Sequence, residues 1–177
     1  MDAVQLLRMQ TREAHDYLEA TMSDVTAEMA NYQPPGKANS VGATYAHAVM
    51  AEDMVVNGML RQEAPLMASS HQGQTGVSEP MPAPGPEWSR YFDWTRSVKV
   101  EPATLRQYAR AVYQRTDEYL AGLTPGDLDA PVDLSAVGMG KVTLGWMVSR
   151  ILLGHIDTEC GEISAIKGVQ GARGYPN

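Results

Sequence analysis

His155 and Glu159 stand four residues apart, so on an α-helix an imidazole and a carboxylate lie one turn apart on a single face. Two ligands of one metal ion need that placement. His47, in an earlier segment, can complete a set of two imidazoles and one carboxylate. Such a set suits Zn, Ni, Mn or Fe(II) and leaves coordination positions open for water or substrate. The same spacing also serves a helix-face pair or a core hydrogen bond, and the residues alone leave both readings open. Glu162 lies nearly in line with His155 two turns on and is read as an outer partner that holds a ligand or bridges helices. Cys160 is turned by about 100° from Glu159 and is read as a small buried residue, since a nucleophile would need an activating base. His15 is expected to pack at a bundle rim, and His71 to be a solvated loop side chain.

The elements that must position these groups follow from apolar periodicity. Val4, Leu7, Thr11, Ala14, Leu18, Met22 and Val25 recur at steps of three and four and predict a first helix. The stretch Asn31-Tyr32-Gln33-Pro34-Pro35-Gly36 ends it, because consecutive prolines withhold backbone donors. Asn39 and Ser40 can cap a second helix with Thr44, His47, Ala48, Ala51, Val55, Gly58 and Met59 facing inward. From Ala64 to Glu87 five prolines disfavour helix and sheet and predict a long surface loop, followed by a short aromatic segment with Trp88, Tyr91, Phe92 and Trp94. Pro102 opens a third helix whose stripe is Leu105, Tyr108, Ala109, Val112, Thr116 and Leu120. After a polar stretch, Thr143 caps a fourth helix. Its stripe is Leu144, Met147, Val148, Ile151, His155, Thr158, Glu159, Glu162, Ile163 and Ile166, closed by Gly168 or Gly171. No strand pattern competes. The expectation is an all-α four-helix bundle with long connecting loops, forming one domain over residues 1–177.

Two stretches resemble the DinB-like superfamily of metalloenzymes, also called DinB/YfiT-like. Asn39-Ser40-Val41-Gly42-Ala43-Thr44-Tyr45-Ala46-His47 with Glu52-Asp53 resembles that family's second helix and its metal histidine. His155-Ile156-Asp157-Thr158-Glu159-Cys160-Gly161-Glu162-Ile163, running on to Lys167-Gly168 and Gln170-Gly171, is similar to its last helix. There two histidines four apart precede a Gly-Glu-Ile step. The proline-rich loop and the segment from Trp88 to Val100 have no counterpart in the pattern. The resemblance implies a DinB/YfiT-like bundle holding a divalent metal ion through His47, His155 and Glu159. It also implies a small-molecule substrate, transferred or isomerised with help from a low-molecular-weight thiol. Glu159 stands where the family usually has a third histidine. A carboxylate there favours harder ions such as Mn or Fe(II) more than imidazole would. It also motivates the competing expectation of a non-catalytic binding or dimerisation bundle with a degenerate metal site.

Composition narrows the partners. A formal net charge of −7, with 14 Lys and Arg scattered along the chain, repels phosphate backbones and acidic lipid surfaces, which argues against nucleic acid. No apolar run reaches the roughly 18 to 20 residues of a membrane span. One cysteine cannot form an intrachain disulfide, and Met1-Asp2-Ala3-Val4-Gln5 has no basic or apolar leader character, so a cytoplasmic location is expected. The 11 methionines are read as core filler, and a symmetric homodimer is the expected assembly.

Overall fold

A computed structural model describes residues 1–82 and 89–176. Trp88 and the loop residues 83–87, Pro84 and Pro86 among them, lie outside the described residues. Helix α1 (Ala3–Thr21) opens on a capping box in which Asp2 accepts the Gln5 N–H at 2.9 Å and the Gln5 side chain accepts the Asp2 N–H at 3.0 Å. It stops short of Val25. Thr26 instead caps a separate helix, α2 (Ala27–Asn31), by accepting the Met29 N–H at 3.2 Å. Met22 and Val25 stay buried across the break, which is why their spacing reads as one continuous helix.

Helix α3 (Val41–Asp53) starts at Ser40, whose hydroxyl accepts the Ala43 N–H at 3.1 Å, and runs directly into a π-helical stretch, Met54–Leu60. Each extra residue per turn rotates the following face by about 100° relative to an α-helix. Met59, expected inside, is therefore 41% exposed, while Val56 and Asn57 are buried. The predicted loop after it holds more structure than expected. It contains a 3-10 turn, Leu66–Ala68, and its residue Val77 bridges antiparallel to Val100. Thr75 and Met81 are buried, and His71 is half-buried beside the Tyr108 ring rather than solvated. The aromatic segment forms α4 (Ser89–Ser97), with Trp94 inside and Phe92 exposed.

Helix α5 (Pro102–Ala121) buries every stripe residue the periodicity predicts, from Leu105 to Leu120. Beyond it, β1 (Pro131–Asp133) pairs antiparallel with β2 (Lys141–Thr143), Val132 opposite Val142. Strands of three residues are too short to leave a readable alternation, so this hairpin corrects the expectation of an irregular polar stretch. Thr143 does cap α6 (Leu144–Met147), accepting the Trp146 N–H at 3.2 Å. A second π-helical stretch, Val148–Leu153, leads into α7 (Gly154–Val169). It shifts the phase again: Thr158 is exposed, and Leu152, Ile156, Cys160 and Ile163 are buried. Gly171, at φ 78°, follows the helix end.

The result is a mostly helical fold in which α1 packs on α5 and α7, and α3 packs on the same two helices. Leu18, Met22, Tyr45, Met50, Leu105, Tyr108, Ile156 and Ile163 fill the main core. Val56, Leu120, Leu144, Val148 and Leu152 form a second cluster between the two π-helical stretches. Among the described residues no helix is long and apolar enough to cross a membrane.

His15 is not at a rim. It is 6% exposed, its Nε2 lies 3.0 Å from Glu52, and its ring stacks on Tyr113 at 3.8 Å. Thr116 donates to the other oxygen of the same carboxylate. Asp53, fully buried, accepts from the Tyr108 hydroxyl at 2.7 Å, Asn57 at 2.7 Å, and the Leu66 and Met67 N–H groups at 2.9 Å each. It thereby pins the 3-10 turn to α3.

Gly42 marks a close approach of α3 to its neighbours. A Cβ there would sit 2.8 Å from the Ala30 carbonyl oxygen and 2.9 Å from Val100 Cβ. Gly42→Ala is expected to destabilise the protein by about 1–3 kcal/mol through overpacking, measured by urea denaturation. An unchanged midpoint would show that α2 and the Val77–Val100 bridge yield freely.

Candidate metal centre

Each of the three metal-ligand candidates sits where its helix brings it to the margin of the core. His47 is on the second turn of α3, His155 is the second residue of α7, directly after a π-helical stretch, and Glu159 follows one turn later. Their side chains are 20%, 27% and 12% exposed respectively. His155 Nε2 lies 3.1 Å from His47 Nε2 and 3.2 Å from Glu159 Oε1, and His47 Nε2 lies 4.0 Å from that same oxygen. The structure thus brings together all three residues.

Three lone-pair-bearing atoms facing one another repel unless a proton or a cation lies among them. Around an ion with bonds of about 2.0–2.2 Å, adjacent ligand atoms sit roughly 2.8–3.6 Å apart, the short end for octahedral and the long end for tetrahedral geometry. Two of the three observed separations fall in that range and the third is slightly longer. The donor set therefore fits a divalent ion. Burial, and next the neighbouring His155, push the His47 imidazole down to about 4 against the opposing pull of Glu159. His47 is thus neutral near pH 7, the form in which imidazole binds a metal.

The surroundings were only partly foreseen. Glu162 accepts from Asn39 Nδ2 at 3.2 Å and Thr44 Oγ1 at 3.5 Å, which ties α7 to the start of α3. Burial, and then the charge of Glu159, raise its carboxyl above the usual range. The Tyr91 ring meets His47 edge-on with centroids 4.8 Å apart. Its hydroxyl is pushed up by burial and by Glu159 and Glu162. Met81 Sδ lies 3.4 Å from His47 Nδ1, and Met81 also lines an open groove of about 440 Å³ with Glu79, Arg90, Asp93, Trp94 and Ser97. Asn39 and Thr44 stand in the same short stretch as His47, so their pattern held a signal. Met81 and Tyr91 reach the site by a long excursion of chain, for which periodicity offers none. Cys160 faces away: its Sγ lies 3.4 Å from Thr21 Oγ1, and burial raises its thiol.

A mostly helical protein with a two-histidine, one-carboxylate cluster between two of its helices is the class these features define. The sequence profile of the DinB superfamily matches residues 10–155, and the chain belongs to that superfamily. The matched region includes His47 and ends at His155, so Glu159 lies beyond it. Among solved structures, a conserved protein from Enterococcus faecalis is similar at a TM-score of 0.80 and 22% identity, covering 97% of this chain and 99% of that one. At that identity the likeness speaks for the fold alone. A search of curated proteins finds no match.

The depressed His47 value has a measurable consequence in the metal-free protein. An unfolded histidine titrates near about 6.5, so between that value and about 4 the unfolded chain binds more protons than the folded one. Stability is therefore expected to fall as pH drops through this window, by on the order of 2–3 kcal/mol. Urea denaturation in chelator at about pH 7 and about pH 4.5 reads the loss, and His47→Gln is expected to flatten it. A wild type whose stability holds or rises on acidification would contradict the assignment.

Proposed function

We propose that this chain is a divalent-metal-dependent enzyme acting on a small molecule with the help of a low-molecular-weight thiol, built on a four-helix bundle of the DinB/YfiT-like type. The observation that carries the reading is the convergence of His47 Nε2, His155 Nε2 and Glu159 Oε1, all partly withdrawn from water. When bound, an ion such as Zn, Ni, Mn or Fe(II) lowers the pKa of a thiol or water and polarises an electrophile, which removes any need for a catalytic cysteine. His47, His155 and Glu159 would hold it, and three protein ligands leave open positions. Glu162, steadied by Asn39 and Thr44, offers a carboxyl whose raised pKa suits taking up a proton beside the site. Met81 and Tyr91 shield the His47 ring from water. The same reading takes residues 1–177 as one cytoplasmic domain and a homodimer as its assembly.

A second reading is favoured by the short His155 contacts themselves. A proton on His155 Nε2 shared between His47 and Glu159 satisfies the cluster without an ion. The chain would then be a non-catalytic small-molecule-binding or dimerisation bundle with a degenerate site. The two readings differ in response to a chelator.

Elemental mass spectrometry of untagged protein, purified without added metal or chelator, is the deciding measurement. The expected result is a near-stoichiometric divalent ion in the wild type, lost in both His155→Ala and Glu159→Ala, with a melting temperature that falls in chelator and recovers with added ion. A wild type that stays metal-free after exposure to Zn, Ni, Mn and Fe(II) would leave the non-catalytic reading.

A further inference from the structure

The chain leaves the helical core after Gly76 and returns at Glu101, and its two ends are stitched together. The Glu101 N–H donates to the Gly76 carbonyl at 2.8 Å, Val77 bridges Val100, and the Ser78 N–H donates to the Lys99 carbonyl at 2.9 Å. Glu79 is then fastened to α4 twice: its carbonyl accepts from Trp94 Nε1 at 3.1 Å, and its side chain accepts from Ser97 Oγ at 2.7 Å. Two residues further on, Met81 sits between Pro80 and Pro82. Proline fixes its own φ and drives the preceding residue toward extended backbone, so both prolines stiffen the chain where Met81 leaves it. Met81 is 9% exposed, and its sulfur ends 3.4 Å from His47 Nδ1.

A thioether has no hydrogen to give and can only accept. A neutral imidazole carries one N–H. The contact is therefore a hydrogen bond in one tautomer only, with the proton on Nδ1 and the lone pair on Nε2. That lone pair faces His155 Nε2 and Glu159 Oε1.

We propose that Met81 is the positioning residue of the site: its sulfur accepts the His47 Nδ1–H and so selects the tautomer that presents Nε2 to the ion. The consequence for ion binding rests on the metal-dependent reading above, whereas the tautomer itself does not. Metal-binding histidines usually donate this N–H to a carboxylate, a carbonyl or water. A sulfur orients the ring as a weak, uncharged acceptor, so it raises ligand basicity less than a carboxylate does. The site is built to hold its ion less firmly than a carboxylate-backed one.

Long-range proton–nitrogen NMR on the metal-free protein at about pH 7.5 reads the tautomer directly, and competition against a chromogenic chelator reads zinc affinity. Wild type is expected to show His47 wholly as the Nδ1–H form. Met81→Leu keeps size and packing but has no acceptor, so it is expected to mix in the Nε2–H form and to lose about tenfold in zinc affinity. Met81→Gln supplies an amide oxygen and is expected to restore both. An Nε2–H form in wild type, or a Met81→Leu protein with unchanged tautomer, would overturn the proposal. If the tautomer follows Met81 while the wild type binds none of Zn, Ni, Mn and Fe(II), the role of Met81 stands and the metal-dependent reading falls. If zinc binds and the tautomer ignores Met81, the reverse holds.

Discussion

A helix buried on nearly every side must have its polar side chains matched by partners on the elements around it, because an unmatched buried donor or acceptor costs about 1–3 kcal/mol. Helix α3 is such a helix. Of its thirteen residues eleven are buried, and its polar members, with Asn57 in the π-helical extension, point in several directions. Tyr45 donates to Glu19 of α1, Glu52 meets His15 of α1 and Thr116 of α5, and Asp53 collects Tyr108 of α5 and the backbone of the 3-10 turn. Asn57 accepts from Arg115 at 3.3 Å, Thr44 donates to Glu162, and His47 faces α7. These pairings, with the shared apolar core, hold α1, α5 and α7 against α3.

This arrangement makes the candidate metal-ligand cluster one station in a longer polar seam. The stations toward α1 and α5 are closed: Glu19 takes the Tyr45 and Tyr113 hydroxyls and Arg106, and Asp53 is surrounded by four donors. At the α7 end, two imidazole nitrogens and a carboxylate oxygen converge instead on one another. Breaking a closed station leaves a buried polar group alone and loosens the frame, while the cluster on α7 is where a cation would gain most. Lys167, 2% exposed, reaches back from α7 to the Thr21 carbonyl and to Asp24, both at 2.6 Å, and anchors the far end of that helix.

The two π-helical stretches set the phase on which the cluster depends. From the second π-helical stretch into α7 the buried line runs Leu152, Ile156, Cys160, Ile163, and each of His155, Glu159 and Glu162 sits one residue ahead of it. The candidate ligands are therefore at the core margin, desolvated enough for strong electrostatics and open enough for an ion to enter. π-helical turns often occur beside functional sites, and here the turn adjoins the first candidate ligand on α7.

Local periodicity and spacing carried much of this. The stripe of α5, the caps at Ser40 and Thr143, and the pairing of His155 with Glu159 depend on near neighbours in the chain, so the sequence alone determined them, together with the acidic balance. The resemblance in the His47 and His155 stretches was legible for the same reason. What the tertiary structure decided are matters of phase and of distant contact. The inward face of an α-periodic stripe is lost beyond an inserted residue, which exposes Met59 and Thr158, and periodicity does not report the insertion. His15 found its buried partner in Glu52 across two helices. Met81 meets His47 only because a bridge 23 residues wide in sequence, Val77 to Val100, closes the excursion that carries it. Spacing could name the candidate ligands, but only folding could say what stands behind them.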